Sequence, residues 1–139
     1  MRIEDLAGPH QASVAVGALA ATSVAGSPQY GLTFLQPVLI TGYHVIAGSA
    51  VTGRTVSHAT LELIHAGTGG SGTSSVASLN LSSGAALTLG RQAIDAALSY
   101  EVPANSTVQV KYTTVDSGMA LPPITHLLTY SYSSTVSAS

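Results

Sequence analysis

From Tyr30 onwards, apolar and polar positions alternate along much of the chain with the period of two that marks strands packed on one face. In Thr107–Val115, Val108, Val110 and Tyr112 fall on one side, and Gln109, Lys111 and Thr113 on the other. In Val56–Ile64, Ala59, Leu61 and Leu63 oppose His58, Thr60 and Glu62. Ser75–Leu81 gathers Ala77, Leu79 and Leu81 on one face. Ile124–Tyr132 does the same with Ile124, Leu128 and Tyr130, but places His126 among them. Val38–Ala47 is apolar at both sets of positions and reads as a short strand buried on both faces. Ala85–Leu98 is mixed: Leu87 and Leu89 alternate as in a strand, whereas Gln92–Leu98 also fits a short helix.

The segments between these runs carry turn chemistry. Pro103-Ala104-Asn105 precedes a strand, Asp116-Ser117-Gly118 ends one, and Pro122-Pro123 resets the chain before the next. Short strands at regular spacing, without a long helical period, predict an all-β fold: an antiparallel β-sandwich or jelly-roll-like domain over residues 30–139. Residues 1–29 read as an N-terminal arm, because Gly8, Pro9, Gly17, Gly26 and Pro28 interrupt any long element. Within it, Val14 and Val16 alternate with small residues as in a short strand, and Ala18–Thr22 also fits one helical turn. The apolar stretch 12–26 follows Glu4 and Asp5 where a signal peptide carries positive charge. It is also too short and too rich in Gly, Ser and Thr for a membrane span, so no membrane partner is expected.

Composition changes the picture in one respect. The apolar residues are small: 20 Ala, 15 Leu, 13 Val and 6 Ile stand against one Phe and no Trp. A core of this kind holds a lone protomer weakly, so burial between copies is expected, as a homo-oligomer. Charged residues are 7% of the chain, against about 25% in ordinary soluble domains. Ser and Thr, 34 residues together, keep the surface wettable without repulsion between neighbours. With only Arg2, Arg54, Arg91 and Lys111 positive, no basic stripe exists to displace counterions, so nucleic acid is not an expected partner.

Candidate chemistry is sparse. Gly67-Thr68-Gly69-Gly70-Ser71-Gly72 fits the spacing of a dinucleotide loop, but a strand rather than a helix is predicted after it, which reads as a flexible hairpin tip. His44, His58 and His126 lie on separate predicted strands with no carboxylate at ligand spacing. No G-x-S-x-G elbow occurs, and Asp95, Glu101 and Asp116 are scattered. With no Cys there is neither a disulfide framework nor a thiolate site. The sequence therefore predicts no enzyme, no cofactor and no metal. Tyrosines, each an apolar ring with a polar tip, are the expected contact residues. Tyr30, Phe34, Tyr130 and Tyr132 are candidates on the sandwich, and Leu6, Val14, Val16 and Leu19 are candidate anchors on the arm.

Three segments together resemble a β-sandwich of tailed-bacteriophage virions. Leu39-Ile-Thr-Gly-Tyr-His-Val-Ile-Ala-Gly48 is similar to a first strand of the form I-x-G-x-x-x-x-A-G. Thr60-Leu-Glu-Leu-Ile64 then alternates, and Val102-Pro-Ala-Asn-Ser-Thr-Val-Gln-Val110 resembles a P-A-G-D/N-T turn into a late strand. The resemblance covers about residues 32–132, with Asn105-Ser106 where Gly-Asp is commoner. It implies a capsid decoration (cement) protein on the virion surface that binds the major capsid protein or another virion protein, often as a trimer. A tail- or fibre-associated module that recognises a host surface or glycan is the other implied role. No active site is implied by it.

Overall fold

The computed structural model describes residues 10–20 and 30–132, and its regular structure there is entirely strand. In chain order these are β1 His10–Val16, β2 Tyr30–Phe34, β3 Val38–Ala47, β4 Val51–Thr52, β5 His58–Gly67 and β6 Ser74–Asn80. They continue with β7 Ala85–Leu87, β8 Gly90–Asp95, β9 Tyr100–Val102, β10 Ser106–Val115 and β11 Ile124–Tyr132. One sheet runs β1-β11-β3-β8, with β9 sharing the same edge of β3 as β8; the other runs β2-β10-β5-β6. All these pairings are antiparallel.

Successive strands mostly cross from one sheet to the other, and first and last strands are neighbours. Taking β8 and β9 as two halves of one edge strand, eight strands in this order make a jelly roll. The predicted fold class is therefore the observed one. The connections are uneven. Residues 48–57, 81–89 and 116–123 are long and lie at one pole, where β4 and β7 form a small extra ladder. Residues 35–37 and 103–105 are tight turns at the opposite pole.

The core lies between the sheets and is aliphatic as composition requires: Val38, Ile40, Val45, Leu61, Leu63, Leu81, Leu87, Val102, Val108, Val110, Ile124 and Leu128 are all buried. Each such side chain contributes roughly 1.5–3 kcal/mol. Inward positions of β5, β10 and β11 are those that the alternation predicted.

Three local expectations are corrected. Val38–Ala47 is not buried on both faces. A register shift opposite Thr129/Tyr130 marks a bulge at Thr41-Gly42, so Ile40 and Tyr43 both face the core although they are three apart. His44 and Ile46 lie on the outer side. Gln92–Leu98 is not a helix: its first half belongs to β8, an edge strand that needs only one apolar face. Strand structure also begins before Tyr30. His10–Val16, inside the stretch expected as an arm, pairs antiparallel and in unbroken register with residues 124–130 of β11. Leu19 beyond it is not helical but exchanges two backbone hydrogen bonds with Leu121, at 2.9 and 2.8 Å.

Candidate functional site

A hydrogen-bonded polar group is buried between the sheets. His126, on the inner face of β11, has the Tyr43 hydroxyl 2.6 Å from Nδ1 and the Tyr112 hydroxyl 2.6 Å from Nε2. Tyr43 comes from β3 in the same sheet, Tyr112 from β10 in the other. All three residues are buried. A neutral imidazole donates at one nitrogen and accepts at the other, so one hydroxyl accepts from the ring and the other donates to it. Burial pushes the His126 pKa down to about 4 and raises that of Tyr43, so the group stays uncharged at neutral pH. The triad therefore belongs to the core between the sheets. It ties the two sheets together. His65 on β5 and Tyr100 on β9 repeat the device at the edge, with Nδ1 and the hydroxyl 3.1 Å apart.

The other histidines are dispersed. His44 faces outward on β3, where burial and the nearby Arg91 lower its pKa. His58 opens β5 in the opposite sheet. Among the described residues no three His, Asp or Glu side chains converge as metal ligands. The glycine-rich run 67–72 is the β5–β6 hairpin tip, with Gly67 and Gly70 at φ +76° and +77°, and strand β6 follows it. The helix that would hold a pyrophosphate is absent there.

Two surface features remain. At the pole of tight turns, Phe34, Tyr130 and Tyr132 meet, joined by His10. Ring centroids lie 5.0 Å apart for Phe34–Tyr130, 6.0 Å for Tyr130–Tyr132, and 5.5 and 5.2 Å for His10 with Tyr130 and Tyr132. All four are half-buried. The structure thus brings together three of the aromatics singled out in the sequence; Tyr30 pairs through its backbone with Val110 on the adjoining strand. His10 carried no sequence signal, because its place in a strand was hidden by the glycines and prolines around it.

The second feature is the outer face of the β1-β11-β3 sheet. Strand alternation puts Gln11, Ser13 and Ala15, then Thr125, Leu127 and Thr129, then His44 and Ile46 on that face. None is an acid, Lys or Arg; charge returns only on β8 and β9, at Arg91, Asp95 and Glu101. An apolar groove of about 300 Å³ ends this face at the long-loop pole, lined by Ala15, Gly17, Ile46, Gly48 and Pro123 among others. Of the candidate anchors, Val16 is buried in the protomer's own core, and Val14 and Leu19 pack against it. Leu6 lies outside the described residues.

No protein-family model and no curated protein matches the sequence. Solved structures give distant likenesses. The VP2 subviral particle of infectious bursal disease virus aligns over 89% of this chain at 16% identity with a TM-score of 0.31. The Gx strain of that virus aligns over 93% at 17% identity with a TM-score of 0.32. The chain spans about a third of the length of either structure, 33% and 32%. At these scores the likeness decides neither fold nor role; the jelly roll rests on the chain's own strand pairings.

Proposed function

We propose that the chain is a structural virion protein that binds the outside of a bacteriophage capsid as a cement protein, in several copies. The observation that carries this reading is the chargeless outer face of the β1-β11-β3 sheet. Burying a charge against a partner costs several kcal/mol unless it is paired, whereas hydroxyl and aliphatic groups are covered at little cost. Jelly rolls recur in capsid and lectin domains, and the segment resemblance to tailed-phage virion sandwiches points the same way. The contact is mechanical: the sheet face and its apolar groove lie on the major capsid protein or a neighbouring virion protein and add area across a joint. With β1 committed to its own sheet, Val14 and Val16 serve the protomer's own core.

Co-sedimentation with particles tests this. The protein is expected to travel with filled heads through a density gradient, and Leu127→Lys, on the chargeless face, is expected to remove it while leaving the fold intact. Full occupancy by Leu127→Lys overturns the assignment of the face, and absence of the wild-type protein from particles overturns the function.

A second reading, a tail- or fibre-associated module that recognises a host glycan, is favoured by the Phe34–Tyr130–Tyr132–His10 cluster, since half-buried aromatic rings offer faces to sugars. It predicts glycan-array binding that is lost in Tyr132→Ala, and location on tails rather than heads.

A further inference from the structure

We propose that two copies of this chain join edge to edge through β1, antiparallel about a two-fold axis at Ser13, so that two β1-β11-β3 sheets become one continuous sheet. The end strand of a sheet presents a row of backbone N–H and C=O groups that templates pairing, and proteins guard such edges with charge, proline, bulges or short length. Three edges here are guarded. The β8/β9 edge carries Arg91, Asp95 and Glu101, has a register shift against β3 and stops at Pro103. β6 has a register shift against β5, and β2 is only five residues long.

β1 has none of these devices. It runs seven residues in unbroken register with β11, contains no charged residue and no proline, and among the described residues no strand pairs its other side. Its sequence is also self-complementary. In an antiparallel pair centred on Ser13, Gln11 faces Ala15 on the outer side and Ala12 faces Val14 on the core side. This register uses the full length of the strand and keeps inward residues inward; a slip by one would turn Val14 out to solvent. Ser13 then meets its own copy, small against small, with no like charges opposed. The partner's Gln11 comes to lie beside Ala15, at the rim of the groove formed with Ile46 and Pro123. The result is an isologous contact with the same residues on both sides, made by strand addition.

This contact stands apart from the virion reading and differs from the three-fold assembly the resemblance implies. The full chain is studied by sedimentation equilibrium over a concentration series, against the chain mass of 13.9 kDa. The expected result is a monomer–dimer equilibrium. Ser13 is exposed, so Ser13→Lys and Ser13→Glu are compatible with the protomer fold, checked by circular dichroism. Each alone opposes like charges at the axis and is expected to raise the dimer Kd about tenfold or more. An equimolar mixture of the two is expected to restore the dimer as a heterodimer. A wild-type protein that stays monomeric or forms trimers overturns the proposal, as does a dimer indifferent to Ser13→Lys or a mixture that restores nothing. Particle co-sedimentation is read on the wild-type protein, because Ser13 also lies on the face assigned to the capsid, so failure of the dimer and failure of the virion role are distinguishable.

Discussion

The Tyr112 hydroxyl lies 2.6 Å from Nε2 of His126 across the gap between the sheets, and with Tyr43 on the other nitrogen it makes the one fully buried imidazole of the described residues part of the core's architecture. Its first consequence is a dependence of stability on pH. His126 titrates near 4 when folded and near 6.5 when unfolded, because burial opposes its charged form. Between these values the unfolded chain binds more protons, so stability rises with pH there. The contribution is complete above about pH 6.5 and is lost as pH falls towards 4. Its size is on the order of 3 kcal/mol. Urea denaturation at pH 7.5, 6 and 5 is expected to show this slope, and His126→Phe is expected to flatten it.

Removal of one partner is expected to cost more than one ordinary hydrogen bond. Tyr112→Phe keeps the ring and its packing but leaves Nε2 buried and unpaired, which destabilises by about 1–3 kcal/mol. Because the bond joins the two sheets, the loss should appear in global unfolding and not in local opening. Equilibrium denaturation and amide hydrogen exchange of β11 together measure it.

The bulge in β3 gives a third expectation. A Cβ at Gly42 would lie 2.6 Å from the Thr129 hydroxyl and 3.1 Å from Nε2 of His44. Gly42→Ala is therefore expected to destabilise by about 1–3 kcal/mol through overpacking. Thr129→Ala removes the obstacle, so the double variant should recover part of the loss. A double-mutant cycle with purely additive effects contradicts this account.

The turn before β10 gives a fourth. Asn105 has φ +63°, a left-handed conformation in which its N–H donates to the Phe34 carbonyl at 2.7 Å. Asn is among the few residues other than Gly that tolerate this region. Gly, which has no Cβ to clash in this region, is expected to be accepted at Asn105 with little change in melting temperature. Asn105→Val is expected to destabilise by about 1–2 kcal/mol.

Much of this was legible in the chain. Alternation assigned the inward residues of β5, β10 and β11, since over Ala59–Leu63, Val108–Tyr112 and Ile124–Leu128 the register is unbroken, and the register shift of each strand lies outside that stretch. It misread β3, because the bulge at Thr41-Gly42 shifts the phase and makes a one-sided strand look apolar on both sides. It missed β1 as part of the sandwich, because apolar Ala15 lies on its exposed side and polar His10 on its inward side, which leaves little contrast between the two faces. His126 was visible as a polar residue at an inward position. Its partners were not, although Tyr43 and Tyr112 both carry a hydroxyl at inward positions. Which of them reach His126 depends on β11 lying between β1 and β3 and facing β10, and that order is set by long-range pairing with no local signature.

The meeting of His10 with Tyr132, ring centroids 5.2 Å apart, has a practical consequence. The first and last described strands end side by side at the pole of tight turns, away from the long loops. A linker joining these strand ends would permit circular permutation with new termini opened at the exposed residues 54–56 of the long-loop pole. The fold thus offers a scaffold with separate poles for joining the strand ends and for opening the chain.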